Sequence, residues 1–245
     1  MKPTIENEVY GPHERNVFDL YLVEVDSPAP LLFFAHGGGF IQGDKSKVNG
    51  HVPMESCLEA GISVASINYR LTDSAPFPAQ MHDSARALQH IRHHADKWNI
   101  DPQRVAVSGP SAGSGISQWL AFHADLADPQ SDDPIAREST HALCCVLLQA
   151  QSTYDPRIIK EIIPGDAYNH AAMKRLFNVE DEFNWDTDEI PQEALDLIQE
   201  CGPITLLTSD APPILVKHRK EHEVIGQIHH PNFRSEERRV GKECA

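Results

Sequence analysis

Two short runs carry residue types and spacings that chemistry would need. The first, Gly109-Pro110-Ser111-Ala112-Gly113, sets a serine between glycines two positions to either side. Glycine is needed there when a serine rides on a turn so tight that side chains would strike the neighbouring strand and helix, and such a turn lifts the hydroxyl above the sheet edge. Alone the pattern is weak: with glycine and serine each at about 7% of residues, roughly one chain in ten to fifteen of this length holds it by chance. An ordinary Ser/Gly turn gives the same letters. The second run, His36-Gly37-Gly38-Gly39-Phe40, is far more specific, since well under about one chain in a hundred has its first four residues by chance. Consecutive glycines let backbone N–H groups converge on one point without obstruction. A developing oxyanion requires that, and each such donor lowers the barrier by about 3 kcal/mol. A glycine-rich phosphate loop is the competing reading, but no Lys-Ser/Thr directly follows a glycine of the run and the chain is acidic.

Both runs need strands to present them. Residues 31–35 form a continuous apolar run directly before His36, and residues 105–108 another directly before Gly109. Similar runs at 62–67 and 143–148 are separated from these by helical periodicity, the pattern of buried parallel strands. Across 78–98, Met81, Ala85, Leu88, Ile91, Ala95 and Trp98 recur three or four apart, predicting a helix with an apolar stripe on the sheet and Arg86, Arg92 and Asp96 turned to solvent. A further helix is expected over 114–123. Residues 17–25 alternate, with Phe18, Leu20 and Leu22 on one face, which predicts a half-buried strand near a sheet edge. Strand and helix alternate, so the fold class is α/β. From 151 to 210 the pattern changes to short amphipathic helices around 157–163, 171–177 and 192–201 with acidic connections, reading as an inserted helical cap, and an apolar strand resumes at 212–216. The organisation expected is a core over 1–150, a cap over 151–210, and an incomplete return to the sheet over 211–233.

Residues 234–244 resemble the translation of a common short-read sequencing adapter, so 234–245 is read as an artefact and the natural chain is expected to continue past Phe233. The competing reading is a charged, exposed C-terminal helix. A chain truncated in this way should leave a strand edge open, and residues 1–245 as written are expected to be poorly soluble and weakly active. The net charge of −15 repels a phosphate backbone, which sets a basic nucleic-acid groove aside. The N-terminal residues lack an apolar signal core, and the longest apolar run, 142–148, falls short of the about twenty residues a bilayer needs. The expectation is a cytoplasmic protein without a membrane partner. Cys57, Cys144, Cys145, Cys201 and Cys244 show no metal-ligand spacing and imply no disulfide scaffold. His90 and His94 stand four apart, but no third zinc ligand is evident and a solvated helix face is the better reading. Asp128, Asp132 and Asp133 lack a calcium-loop register and read as a polar loop. Tyr154-Asp155-Pro156 either borders a substrate pocket or caps the following helix through Asp155, and capping is the plainer reading.

With the two motifs in this order, each after an expected strand, the sequence resembles the α/β-hydrolase superfamily, specifically esterases of the hormone-sensitive-lipase-like and carboxylesterase type. The resemblance runs from about Val9 to Phe233 and includes Asn68-Tyr69-Arg70-Leu71, then Phe77-Pro78-Ala79 and Asp83. It implies an α/β-hydrolase fold, with a mostly parallel sheet flanked by helices. It also implies Ser111 as nucleophile, the N–H groups of Gly38, Gly39 and Ala112 as oxyanion hole, Gly37 as the turn, and His36 as a brace for the glycine loop. The reaction implied is hydrolysis of a small-molecule ester through an acyl-enzyme, with no cofactor and no metal.

Two departures stand out. Position 110 is proline where the family more often has a polar residue, and the turn is expected to survive because proline tolerates the extended backbone entering it. The family carries its acid after the strand corresponding to 214–216 and its histidine in a later loop. Here Glu221 or Glu223 could be the acid, with Glu221 taken as the first choice, while His218, His222, His229 and His230 lie too close to that position for the family's usual order. The base is otherwise expected past Phe233, about thirty to sixty residues on by family spacing. The alternative is a non-catalytic binding protein of the same fold that has lost acid and histidine. An acyl peptidase is not separable from an esterase by these residues.

Overall fold

The computed structural model describes residues 1–217. A 7-stranded sheet organises the chain: β1 (Ile5–Val9), β2 (Val17–Tyr21), β3 (Ala29–Ala35), β4 (Ser63–Ile67), β5 (Ile100–Pro110), β6 (Cys144–Leu148) and β7 (Ile214–Lys217), in the spatial order β1-β2-β4-β3-β5-β6-β7. The pairs β1·β2 and β2·β4 are antiparallel and the rest parallel. Helices α1 (Met54–Glu59), α2 (Ala79–His93) and α3 (Ala112–Phe122) make the crossovers. The continuous apolar runs fall within β3, β4, β5 and β6, where the strands are largely buried on both faces, while β5 begins earlier than its run, over exposed Gln103 and Arg104.

Helix α2 forms on the predicted stripe, burying Met81, Leu88 and Ile91 completely, each worth about 1.5–3 kcal/mol. Its opposite face differs from expectation. Arg92 is buried, not solvated, because the chain over 134–141 folds across it and the guanidinium donates to the carbonyls of Pro102, Ser139 and His141. His90 is likewise buried, stacked on His94 with ring centroids 4.4 Å apart, and both its ring nitrogens lack partners. Burial lowers its pKa from 6.5 to about 4. Among the described residues no group of three or more His, Cys, Asp or Glu could hold a metal ion. Asp133 caps the short turn Pro134–Arg137 and pairs with Arg86 at 2.6 Å.

Strand β2 also departs from the half-buried reading. Phe18 and Leu20 are buried as expected, but Asp19 on the other face is buried too, ion-paired at 2.7 Å with Lys45 from the turn Lys45–Gly50. The outer neighbour of β2 is β1, whose IENEV sequence gives no clear apolar period. Between β6 and β7 the chain makes four helices: α4 (Pro156–Ile162), α5 (Ala171–Leu176), α6 (Gln192–Cys201) and α7 (Pro203–Leu206). Proline at the first turn starts α4 and α7, and Asp155 caps α4 by accepting from the Arg157 N–H at 2.9 Å. The Phe77 N–H donates to the Leu176 carbonyl, fastening this helical segment to the loop before α2. No described helix is long and apolar enough to cross a membrane.

Candidate active site

Ser111 sits between the last residue of β5 and the first of α3, with φ 51° and ψ −117°. That backbone is costly for a residue with a side chain, of order 1–3 kcal/mol. It is held from both sides. Its N–H donates to the Leu148 carbonyl at the end of β6 (2.9 Å), and its carbonyl accepts from the Gly115 N–H in the first turn of α3 (3.1 Å). Pro110 continues the β5·β6 ladder opposite Leu148, so the unusual proline is absorbed as an extended residue. The serine occupies the N-cap position of α3, yet its hydroxyl makes no capping bond. A serine present merely as a helix cap would spend its oxygen there.

The flanking glycines are dictated by contact. A Cβ at Gly109 would stand 2.3 Å from the Ala35 carbonyl oxygen, and one at Gly113 would stand 2.1 Å from the same atom. Both obstacles are backbone, so the turn lies hard against the end of β3, where the glycine loop begins.

The glycine loop is fixed by its histidine. His36 is fully buried, its ring stacked on Tyr69 with centroids 4.3 Å apart. Arg15 approaches Nε2 at 3.2 Å, and because a guanidinium only donates, Nε2 is the acceptor and Nδ1 carries the proton, donating to the Gly37 carbonyl at 2.8 Å. Arg15 also donates to the Tyr69 and Gly43 carbonyls, and the Tyr69 hydroxyl to the His36 carbonyl at 2.7 Å. Burial chiefly lowers the His36 pKa from 6.5 to about 4, with the Arg15 charge acting the same way against the Gly37 hydrogen bond. Both ring nitrogens are engaged away from Ser111, so His36 acts as a brace.

Beyond it, Gly38, Gly39 and Phe40 all have positive φ (117°, 62° and 63°). A Cβ at Gly38 would meet the Gln42 carbonyl oxygen at 2.1 Å. The Gly38 carbonyl accepts from the Ile41 and Gln42 N–H groups, closing a tight turn. Among the described residues nothing accepts from the N–H of Gly38, Gly39 or Ala112.

Gly38, Gly39, Ala112 and Ser111 line one cavity of about 420 Å³, whose other walls are mostly apolar and include Phe40, Tyr154, Ile159, Ile163, Met173 and Leu176. The structure thus brings four of the five expected site residues together. The fifth, Glu221, lies outside the described residues, as do Glu223, His218, His222, His229 and His230. Tyr154 borders the cavity while its neighbour Asp155 caps α4, so both readings of that triplet hold. His170, from the segment between β6 and β7, also lines the cavity. Its Nδ1 accepts from the Ala172 N–H at 3.0 Å, capping α5, so that nitrogen is already engaged.

Sequence reading did not single out Gln151 or Arg15. The Gln151 amide Nε2 donates to Ser111 Oγ at 3.3 Å. Its position just beyond the carboxyl end of the strand beside β5, where open α/β sheets gather their ligands, was the available sign. Arg15 reaches His36 from a loop between β1 and β2, with no local pattern to announce it.

A serine on a strained strand-to-helix turn, facing the glycine-rich end of the adjacent parallel strand across a mostly apolar cavity, defines the α/β-hydrolase fold of carboxylesterase type. The chain belongs to the BD-FAE family, whose model matches residues 18–235. It is similar to the esterase LipI of Mycobacterium tuberculosis, 34% identical over 102 residues, covering 41% of this chain and 32% of that protein. The probable carboxylic ester hydrolase LipM of the same organism is 26% identical over 239 residues, 96% of this chain and 52% of LipM. The chain therefore spans between about a third and a half of the length of these relatives. Among solved structures, a truncated carbohydrate esterase from gut microbiota superposes with a TM-score of 0.68 at 22% identity, over 87% of this chain and 75% of that one, a likeness of fold.

Proposed function

We propose that the chain is the nucleophile-bearing part of a serine carboxylic-ester hydrolase. In this reading Ser111 Oγ attacks the acyl carbonyl of a small-molecule ester, and the hydroxyl proton leaves to a base as the C–O bond forms. The tetrahedral oxyanion is received by the N–H groups of Gly38, Gly39 and Ala112. The alcohol departs with a proton, and water then releases the acid from the acyl-serine. Acyl transfer to serine needs neither metal nor organic cofactor. The observation that carries the reading is the coincidence in one cavity of an uncapped serine hydroxyl and three N–H groups with no acceptor among the described residues. The apolar walls favour acyl or alkyl groups over charged ones.

The residues 156–206, which supply Ile159, Ile163, Met173 and Leu176, would act as a cap that sets substrate scope. The test is turnover of p-nitrophenyl acetate and butyrate by the natural full-length protein and by Ser111→Ala. Turnover that vanishes in the variant supports the reading. Equal rates in both, or none in either, overturn it, and no turnover in either leaves the non-catalytic binding relative in its place.

A further inference from the structure

We propose that Gln151 is a positioning residue for the Ser111 nucleophile, held in its working orientation by Tyr154; the inference rests on the reading of Ser111 given above. Two contacts define the relay. The Gln151 amide nitrogen faces Ser111 Oγ at 3.3 Å, and the Tyr154 hydroxyl donates to Gln151 Oε1 at 3.4 Å. A side-chain amide has its donor at one end and its acceptor at the other, so a donor at Oε1 turns Nε2 toward the serine. Tyr154 is suited to this. It is buried, and burial pushes its pKa well above the ordinary phenol value, keeping the hydroxyl proton on. Its ring packs edge-on to Phe40, with centroids 6.0 Å apart, and its hydroxyl fills the space that a Cβ at Gly115 would take, 2.1 Å away. The Gln151 backbone is anchored as well, because the fully buried Gln118 donates to its carbonyl at 2.9 Å. Helix α3 therefore supports the relay at Gly115 and at Gln118, within the two turns that follow Ser111.

The chemical consequence concerns the serine proton. A hydroxyl has one donor and two acceptor sites. With Gln151 donating into one lone pair, the O–H must point elsewhere, and it stays available to a base. Were the amide reversed, Oε1 would accept that proton and hold it away from the base. Tyr154 is thus what prevents a self-inhibiting amide orientation, and Gly115 is what makes room for Tyr154.

Four variants of the natural full-length protein, assayed on p-nitrophenyl butyrate with thermal melts as a folding control, test this. Tyr154→Phe and Gln151→Leu should each lower kcat roughly 3- to 10-fold with KM little changed, the effect expected of one neutral hydrogen bond. In the Gln151→Leu background, Tyr154→Phe should have no further effect. Gln151→Glu places an acceptor where the donor was. It should lose more than Gln151→Leu at neutral pH, and its rate relative to the parent protein should recover as pH falls and the carboxylate is protonated. A Tyr154→Phe effect of equal size in both backgrounds, or a Gln151→Glu to parent ratio flat with pH, overturns the proposal. If the parent hydrolyses the ester and Ser111→Ala does not, while these variants are unchanged, only this inference falls. If Ser111→Ala hydrolyses as fast as the parent, or neither turns over, both readings fall.

Discussion

Acid should weaken this protein through His36 in a way that a single substitution isolates. The ring is fully buried, accepts from the Arg15 guanidinium, donates to the Gly37 carbonyl, stacks on Tyr69, and has Asp44 as the carboxylate that partly offsets Arg15. Its pKa in the native protein falls from 6.5 to about 4. Between those pH values the unfolded chain binds a proton at this position and the folded chain does not, so the stabilisation is complete above pH 6.5 and is lost as pH falls toward 4. At about 1.4 kcal/mol per pH unit, the loss amounts to about 3 kcal/mol. Carboxylates also titrate in acid, so the quantity to measure is a difference. Urea unfolding of the parent protein and His36→Gln should be followed at steps from about pH 7.5 to pH 4. The variant lacks this titration, so the parent's stability advantage should shrink by about 3 kcal/mol across the range while the shared carboxylate contributions cancel. A difference constant to within about 0.5 kcal/mol, or one that grows in acid, would refute the account of the buried neutral ring.

Other consequences follow from the site. Ser111→Gly should raise thermal stability by about 1 kcal/mol, a Tm increase of about 2–4 °C, by releasing the positive φ, whereas Ser111→Ala keeps the strain and should not; a calorimetric scan decides. Gly113→Ala, whose Cβ would meet the Ala35 carbonyl oxygen at 2.1 Å, should cost more than about 3 kcal/mol, while Gly50→Ala, which has open space, should stay within about 0.5 kcal/mol by chemical denaturation. Met173→Ala enlarges the cavity wall and should raise the preference for p-nitrophenyl octanoate over acetate, measured as the ratio of kcat/KM values, by about tenfold or more.

How much of this was readable beforehand depended on whether the cause was local. Strands β3, β4, β5 and β6 were legible because a strand buried on both faces leaves an uninterrupted apolar run, and the strand order placed both motifs at neighbouring strand ends. Strand β1 was not, since Asn7 and Glu8 interrupt its pattern and Val9 is exposed. Arg92 was misread as solvated because helical spacing puts it on the polar face, and only the chain over 134–141 covers it. The same limit applies to Asp19, whose burial depends on Lys45 from a distant turn. Within the site, Ser111 and the glycines declared themselves by local backbone need. Arg15 and Gln151 act across loops that sequence spacing does not join. His36 fell between these: its place before the glycines was legible, and its tautomer became so only once Arg15 was seen beside it.

The most direct test is where an electrophile lands and which atoms then hold its oxygen. Crystals of the natural full-length protein reacted with a fluorophosphonate should show one phosphorus bonded to Ser111 Oγ. The phosphoryl oxygen should lie about 2.7–3.1 Å from the backbone nitrogens of Gly38, Gly39 and Ala112. An unmodified Ser111, or an adduct whose oxygen points away from all three nitrogens, would contradict it.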